Sequence, residues 1–442
     1  MIGRLPVLLL LGIAIVLAPA PSSAADVPAK ADTPARLDAP AGPGYGTDVS
    51  DTLGNAAVEA NPNILAIEDR IGALEQKVAQ ARVWLDPTFS AEYSNMPIND
   101  PVPGEHPMSG IQFMLRQTFY WPGKISARED EAKSRVLEEQ LSLAEKRVQL
   151  RATVRRAYYR LALTRQLRDV TRQHVRLVSD FIDIARIKVE TGVGAQHELL
   201  RLRVLVDQLK DDLKTFDRDE ASLTAAINAT LHRSIDIEVP TPEQTVVPEP
   251  TTDAVTLAQQ AERERPLFKR YAAEAETYRG AARRAKREGY PDITLWAGYR
   301  VRTRAGTDPG TDFLSLGVSL PLPFSYDGRW GSEGRQNEKM AAAAMQDRDA
   351  ALDRMRGDLG GIVADWKRSA QKARTYRDEL IPEAHMSLDA TFSSYRVGRA
   401  DFASLFQAEV ELLNFERTTR MAATEAAEAR VSAEEIVGSG AK

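Results

Sequence analysis

The feature that most limits how this chain can fold is a stretch, residues 125–190, that contains neither proline nor glycine. Within it, Leu137, Leu141, Ala144 and Val148 recur with the spacing of a coiled-coil stripe, and charged residues fill the positions between them. A helix of this length would extend about 100 Å, at about 1.5 Å per residue. Globular helices seldom reach that length, so the sequence predicts a tall structure of long antiparallel helices.

A second helical stretch, residues 333–396, is interrupted only by four glycines and one proline: Gly334, Gly357, Gly360, Gly361 and Pro382. Each long stretch ends near a glycine, Gly192 or Gly398, that can adopt the left-handed conformation of a helix C-terminus. The sequences that follow, "VGAQHELLRL" and "RADFASLFQA", are typical of returning helices. We therefore expect two helical hairpins whose turns form the tips at one end of the molecule, with strands at the other end.

The spacing of prolines indicates an internal duplication. The interval from Pro62 to Pro266, which each begin a helix, equals the interval from Pro87 to Pro291, which each precede a strand. We predict a first repeat over residues 52–231 and a second over residues 253–437. Each repeat has the order helix, strand, strand, long helix, helix. A proline-rich linker, residues 232–252, joins them, and residues 438–442 form a C-terminal tail.

Four segments alternate between apolar and polar residues with the period of a strand. Their apolar positions are Phe89, Ala91 and Tyr93; Ile111, Phe113, Leu115 and Phe119; Ile293, Leu295, Ala297, Tyr299 and Val301; and Leu314, Leu316, Val318, Leu320, Leu322 and Phe324. Strands of about 10 residues with one apolar and one polar face suit a transmembrane β-barrel. The alternative is two soluble hairpins packed on helices. Four strands cannot close a barrel, since about eight are needed, so strands from other chains would have to join them.

The N-terminal residues indicate export. Residues 1–25 combine a positive flank at Arg4, a short apolar run and the small residues Ser23-Ala24-Ala25, as in a secretory signal peptide. Residues 26–51 are rich in proline, alanine and glycine and predict an extended arm. The chain has no cysteine, which excludes disulfides and thiolate chemistry. Its formal net charge of -5 gives no reason to expect binding to nucleic acid.

Three motifs together resemble the TolC-type outer membrane factors. They are "QTFYWPGK" (residues 117–124), its counterpart "PLPFSYDGR" (residues 321–329), and "YRVGRADFASLF" (residues 395–406). The "QTFYWPGK" motif is most similar to the CzcC-like branch of that family, which serves heavy-metal efflux. The resemblance covers about residues 52–437. It is specific as a combination, because each motif alone is a weak signal and Trp-Pro-Gly is also an ordinary turn.

The resemblance implies a mixed, mainly α fold: a homotrimer with a 12-stranded barrel in the lipid of the outer membrane of a Gram-negative bacterium, four strands per chain, continuing into a periplasmic α-barrel. The junction between barrel and helices would be formed by Trp121, Pro122, Gly123, Lys124, Pro323, Phe324 and Gly328. Pro122 and Pro323 lack the amide hydrogen that continued strand pairing needs. Gly123 and Gly328 would allow the sharp turn into helix.

The resemblance also assigns roles to the hairpin turns. The tips would dock a periplasmic adaptor protein, through Gly192, Val193, Gly194, Val397, Gly398, Arg399 and Asp401. Acidic residues just after the turn glycine line the constriction in related channels, which makes Glu198 and Ser404 the candidate gate residues. A ring of three Glu198 side chains would favour cations. The alternative is that Glu198 is an ordinary exposed helix charge. Asp401 also has the position of a helix N-cap.

No sequence pattern indicates an enzyme, a cofactor or a resident metal. The motifs HExxH and GxSxG, the Walker loop and paired carboxylates are all missing, and the five histidines are scattered. The loop between the first two strands contains Met96, His106 and Met108, whose sulfur and imidazole groups could bind copper or silver. An ordinary polar loop is the alternative interpretation.

The sequence therefore predicts a passive export channel, the outer-membrane component of a tripartite efflux system. An inner-membrane pump, of the RND type, would supply the energy, and the expected cargo is heavy-metal cations. A drug-efflux channel or a type I protein-secretion channel is the alternative within the same class. A soluble periplasmic coiled-coil scaffold is the alternative outside it, but a scaffold would not explain the two-faced strands.

Overall fold

A computed structural model describes residues 47–96, 98–99, 106 and 108–438. The predicted signal peptide (residues 1–25), residues 26–46 of the predicted arm, and residues 439–442 of the predicted tail lie outside the described residues. All statements below about what the structure contains refer to the described part of the chain.

The described part is mainly helical. Its helices are α1 (Thr47–Ala60), α2 (Pro62–Ala81), α3 (Lys124–Glu190), α4 (Gln196–Thr230), α5 (Ala254–Glu264), α6 (Pro266–Glu288), α7 (Ser332–Thr375), α8 (Ile381–Arg396) and α9 (Phe402–Val437). Pro62 and Pro266 occupy the first positions of α2 and α6, as the sequence predicts, where a missing amide hydrogen costs no helical hydrogen bond. None of the helices in this part of the chain is both long and apolar enough to cross a membrane.

The first predicted long helix is confirmed, and the second is interrupted. Helix α3 is continuous over 67 residues, or about 100 Å. The segment that follows Ser332 instead contains a π-helical turn, Tyr376–Leu380, between α7 and α8. Pro382 is the second residue after this turn; it cannot donate a helical hydrogen bond, and its ring crowds the preceding turn. The wider π turn accommodates the proline, and the helical path continues to Arg396.

Four strands form one antiparallel sheet in the order β1-β2-β3-β4: β1 (Thr88–Ser94), β2 (Gly110–Phe119), β3 (Ile293–Arg302) and β4 (Phe313–Ser319). The outer strands β1 and β4 each pair on one side only within the described residues. The alternating run was predicted to reach Phe324, but β4 ends at Ser319. Pro321 and Pro323 follow, and without amide hydrogens they cannot extend the strand pairing. The prediction was therefore wrong for residues 320–324.

The register places the predicted apolar positions that lie within β1 to β4 on one face of the sheet, while Leu320, Leu322 and Phe324 lie beyond the end of β4. Phe89, Leu115, Ala297 and Leu316, for example, form one row across the four strands. This face is open, because Phe89 is 63% exposed and Leu316 is 73% exposed. The polar face carries Glu92, Gln112 and Arg300 in another row, with a hydrogen bond from Arg300 to the Gln112 side chain.

The helices are arranged in the same order as the strands. Helix α3 packs against α1, α2 and α4, and also against α6 and α9; α7 packs against α5, α6 and α9, and α8 against α9. Helix α7 makes no extensive contact with α1, α2 or α4 in the described part of the chain, and α8 meets α4 through side chains at one end, where Tyr395 bonds to Glu198. Away from that end the chain therefore has two open sides, one formed by β1, α1, α2 and α4 and the other by β4 and α7.

The connection from β2 to α3 is a tight turn made by Trp121-Pro122-Gly123-Lys124. The Lys124 amide donates to the Trp121 carbonyl at 3.1 Å, and Gly123 has φ 88° and ψ -4°. These are the values of a type II turn, in which proline is favoured at the second position and glycine is required at the third. The predicted role of Gly123 is thereby confirmed, and Ile125 continues directly into helix.

An ion pair between a buried lysine and a partly exposed aspartate fixes this turn to the second half of the chain. The Lys124 ammonium is buried and lies 2.8 Å from the Asp292 carboxylate, which also accepts a hydrogen bond from the Trp121 amide at 2.9 Å. Trp121 stacks on Tyr290 with ring centroids 5.7 Å apart. Sequence reasoning did not identify Asp292, because its partner lies far away in the chain. The contact aligns the start of α3 with the start of β3.

The connection from β4 to α7 differs from the prediction. Gly328 lies inside a π-helical turn, Asp327–Gly331, and does not have a positive φ. The chain changes direction earlier, where the Tyr326 amide donates to the Pro323 carbonyl at 3.2 Å. The Tyr326 ring then packs against Gly289, so closely that a Cβ there would lie 2.0 Å from the ring. Phe324, at this bend, is 90% exposed, whereas Trp121 is partly buried by its stacking.

Replacing Gly123 by alanine should destabilise the protein by about 1 kcal/mol, because the left-handed conformation of a type II turn disfavours a Cβ. The matched substitution Gly357→Ala should be stabilising by about 1 kcal/mol, since Gly357 lies inside helix α7 with open space around it. Urea unfolding of the detergent-purified protein measures both. Equal effects of the two substitutions would contradict the turn geometry.

Substitution Lys124→Met should reduce the free energy of unfolding by about 2 kcal/mol, because it leaves the Asp292 carboxylate without its countercharge. The double substitution Lys124→Met with Asp292→Asn should recover part of that loss. The exposed pair of Arg82 and Glu129, 2.7 Å apart, offers a control, and Arg82→Ala should have little effect. If Lys124→Met were as mild as Arg82→Ala, the buried pair would not hold the junction.

Candidate functional site

The two helical hairpins end in turns of the same construction. Gly192 has φ 74° and Gly398 has φ 76°, so both predicted left-handed glycines are confirmed. In the first turn the Val193 amide donates to the Lys188 carbonyl at 2.9 Å, and in the second the Arg399 amide donates to the Ser394 carbonyl at 2.9 Å. This is the six-residue hydrogen bond of the Schellman motif.

The turns differ in the start of the returning helix. Asp401 is the N-cap of α9, as predicted, and its carboxylate accepts a hydrogen bond from the Ser404 amide at 2.9 Å. That contact lowers the pKa of Asp401. In the first hairpin the equivalent position is Ala195, which has no capping side chain. The first turn also contains Gly194, which lies so close to α3 that a Cβ at this position would be 2.9 Å from the Cβ of Lys188.

A shared hydrophobic core brings both hairpins to the same end of the molecule. Its buried members come from α3, α4, α8 and α9, and they include Phe181, Leu202, Leu388, Tyr395 and Leu405. The rings of Phe181 and Phe392 lie with centroids 4.9 Å apart across this core. The tip is therefore one packed unit within a protomer rather than two separate hairpins.

Polar contacts at the tip centre on Tyr395 of α8. The Lys188 ammonium lies 3.8 Å from the centre of its ring and also donates to the Tyr395 carbonyl. The Tyr395 hydroxyl donates to the Glu198 carboxylate at 3.3 Å. Burial and the nearby Glu198 charge raise the pKa of Tyr395 to about 12. Sequence reasoning missed Lys188 and Tyr395, because only the tertiary structure brings α3, α4 and α8 together.

The two candidate gate residues have different surroundings. Glu198 is only partly exposed, and its carboxylate accepts a hydrogen bond from Tyr395. Ser404 is exposed in the first turn of α9. Beyond them, Val193 and Val397 are 78% and 68% exposed at the outermost points of the turns. Gly192, Gly398 and Arg399 are also exposed, while Gly194 is partly exposed.

The candidate metal-binding loop is described only in part. Met96 and Met108 are largely exposed, and the Asn95 side chain donates to the Met108 carbonyl at 3.0 Å. His106 is partly exposed, and its carbonyl accepts from Ser109. Residues 97, 100–105 and 107 of this loop lie outside the described residues. Among the residues that the structure describes, no group of three or more His, Cys, Asp or Glu side chains could hold a metal ion.

Comparison with known proteins identifies the architecture. A search of curated protein sequences gives no match. Several solved structures share the fold. They include the outer-membrane channel OprN (TM-score 0.74, 15% identity, covering 88% of this chain and 90% of that one). VceC from Vibrio cholerae matches with TM-score 0.71 and 16% identity, over 88% of this chain and 96% of that one. CusC matches with TM-score 0.72 and 12% identity, over 89% and 92%.

A family model described as "Outer membrane efflux protein" matches residues 53–229 and 257–439, which together are most of the sequence. The two matched segments contain the two hairpins, the four strands and the strand-to-helix junctions described above. The chain therefore belongs to the outer membrane efflux protein family.

Proposed function

We propose that this protein is the outer-membrane channel of a tripartite efflux system and that three copies assemble into one passive, gated duct. The proposal rests on one observation about the described residues: the sheet has two unpaired edge strands and an exposed apolar face. The helices connected to the strands pack side by side in the same order as the strands. Neither a catalytic role nor a cofactor is part of the proposal.

The exposed face of the sheet supports a location in lipid. Besides Phe89 and Leu316, it carries Leu314 and Val318, which are 70% and 68% exposed. A soluble protein seldom exposes a continuous apolar surface of this kind. In a bilayer the same surface is favourable, and the polar face, with Glu92 and Arg300, would line a water-filled interior.

The unpaired edges support assembly. Inside a bilayer no water can satisfy the free amide and carbonyl groups of β1 and β4, so each edge needs another strand. Pairing β4 of one copy with β1 of the next satisfies both edges at once. Three copies would give twelve strands, and the open helical sides of α4 and α7 would meet at the same boundaries. The matched segments of the family also support two repeats, over residues 52–231 and 253–437, joined by the linker at 232–252.

The tips support a role in docking and gating. Val193, Val397 and Arg399 project from the turns into solvent and would contact a periplasmic adaptor, and an inner-membrane pump of the RND type would complete the machine. Glu198, which accepts a hydrogen bond from Tyr395, would form an acidic ring if three copies met at this level. Such a ring would favour cations, which agrees with the heavy-metal cargo that the resemblance to the CzcC-like branch implies.

One observation favours the alternative cargo. The polar face of the described sheet carries two arginines, Arg116 and Arg300, and one glutamate, Glu92. Arg302 also lies on this face, but its charge is neutralised by an ion pair with Asp308. A basic lining does not attract cations. A drug-efflux or protein-secretion channel is therefore the second candidate, and it uses the same architecture.

Disulfide cross-linking tests whether β4 of one copy pairs with β1 of the next. The chain lacks cysteine, and β1 and β4 of one copy are separated by two strands, or about 14 Å, which no disulfide can span. We expect Ala91→Cys, combined with one of Leu314→Cys, Leu316→Cys or Val318→Cys on the same face, to give covalent dimers and trimers on a non-reducing gel. The control Ser315→Cys, on the opposite face, should not cross-link with Ala91→Cys.

The same preparations decide the broader proposal. The protein should be extracted from membranes only by detergent and should migrate as a heat-sensitive trimer. Water-soluble monomers would exclude an outer-membrane channel. Detergent-extracted protein that never cross-links in any same-face combination would retain the membrane location but exclude closure between β1 and β4.

Substitution Glu198→Gln should reduce the preference of the reconstituted channel for cations, because it removes three carboxylates from one level of the duct. The reversal potential in a planar bilayer under a salt gradient measures the effect. Ser404→Glu adds an acidic ring at the matching position of the second hairpin and should shift the potential in the opposite direction. An unchanged reversal potential in both variants would exclude this level as the selective constriction.

A further inference from the structure

A buried histidine lies between two carboxylates at the contact between α3 and α9. The Nδ1 atom of His174 is 2.6 Å from Glu409 Oε1, and its Nε2 atom is 3.1 Å from Glu416 Oε2. His174 is 3% exposed and Glu409 is fully buried. Both glutamates belong to α9 and lie two helical turns apart on the same face. In the sequence these residues are far apart, and the histidines appear scattered.

With both glutamates ionised, this geometry requires a charged imidazole. A neutral imidazole has one N–H donor and one lone pair, so one of its nitrogens would direct a lone pair at a carboxylate oxygen. Only the protonated ring can donate from both nitrogens. Burial by itself would lower the pKa of His174, but the hydrogen bonds and charges of Glu409 and Glu416 outweigh it and raise the pKa to about 9.

Glu409 depends on this contact. Its second oxygen, Oε2, is buried without a hydrogen-bond partner in the part of the chain that the structure describes. Loss of the proton from His174 would leave a buried carboxylate with neither a countercharge nor a second donor. A buried unpaired charge of this kind is strongly destabilising, so the cost would fall on the contact between the two helices.

The other charged groups around the site come from α4, α8 and α9. His385 of α8 lies 3.3 Å from Glu416, whose pKa is lowered by His174 and His385 in spite of its burial. Arg420 of α9 interacts with Glu416, and burial lowers the pKa of Arg420. Arg417 donates to Thr171 of α3 and to Asp212 of α4, both within 2.9 Å. Among the residues that the structure describes, the charged groups bonded to His174 are Glu409 and Glu416.

The site lies where the two hairpins meet. Helix α3 belongs to the first hairpin and α9 to the second. The shared core of the tip includes Val170 and Val178, which flank His174 along α3, and Leu412 and Leu413, which lie between the two glutamates along α9. A movement that separates α9 from α3 at this level would have to break the contacts of His174.

We propose that His174 is a proton-dependent latch that fastens the second hairpin to the first: the protonated ring ties α9 to α3, and loss of its proton releases them. The latch concerns contacts within one chain. It stands whether or not the export function proposed above is right.

The direction of the pH dependence follows from linkage. The pKa of His174 is higher in the folded chain, at about 9, than its ordinary value of 6.5. The stabilisation is therefore complete below about pH 6.5 and is lost as the pH rises through about 9. At neutral pH the latch is closed, and alkaline conditions open it.

Hydrogen exchange in the intact, detergent-purified protein tests the latch. The measured quantity is the protection of residues 405–420 of α9 divided by that of residues 425–437 of the same helix, because this ratio cancels the intrinsic effect of pH on exchange. We expect the ratio to fall about tenfold or more between pH 7 and pH 10. In His174→Gln the ratio should already be low at pH 7 and should not change with pH.

A second variant distinguishes the latch from simple packing. Glu409→Gln removes one carboxylate, so the midpoint of the transition should move to lower pH, whereas a purely structural defect would lower protection without moving the midpoint. His197→Gln, which changes an exposed histidine of α4, should behave like the natural protein. A ratio that is constant from pH 7 to pH 10 in the natural protein, or a midpoint that Glu409→Gln does not move, would overturn the proposal.

Discussion

The backbone hydrogen bonds of the sheet edges are the constraint on which the rest of the structure depends. Each chain contributes four strands, too few to close a barrel, and leaves β1 and β4 with unpaired groups. In water this would be tolerable. The exposed apolar face makes lipid the suitable surroundings, and in lipid an open edge is prohibitive. The proposed assembly of copies follows from these two facts, and the helices continue the same lateral order.

The two ends of the protomer are held by different kinds of contact. At the sheet end, a type II turn and the buried pair of Lys124 and Asp292 fix where strand becomes helix. At the tip end, a hydrophobic core joins both hairpins, and polar groups are placed within it or at its border. A buried pair adds little net stability but strongly penalises any arrangement that separates its members, so it specifies one alignment.

The tip combines a fixed core with contacts that a change of charge can weaken. Tyr395 links Lys188 to Glu198 near the turns, and His174 links α3 to Glu409 and Glu416 farther from them. The turn glycines themselves carry no such interaction. In the proposed duct, movement of the second hairpin would therefore depend on these polar contacts more than on the turns.

The sequence by itself determined the local features. The stretch without proline or glycine predicted helix α3, and the alternation of apolar and polar residues predicted the two faces of the strands. The turn sequences predicted the left-handed glycines Gly123, Gly192 and Gly398. These predictions succeeded because helix continuity, side-chain period and turn conformation depend on neighbours in the chain. The errors were also local: β4 stops before Pro321, and Gly328 lies within a helical turn.

Only the tertiary structure decided which distant residues meet. Asp292 pairs with Lys124, Tyr395 with Glu198, and Glu409 with His174, although each pair is separated by well over a hundred residues. Electrostatic partners carry no periodic signal, since a charge on a long helix looks the same whether water or a carboxylate faces it. Packing of α3 against α6 and α9 selects the partners, and burial then makes their charges matter.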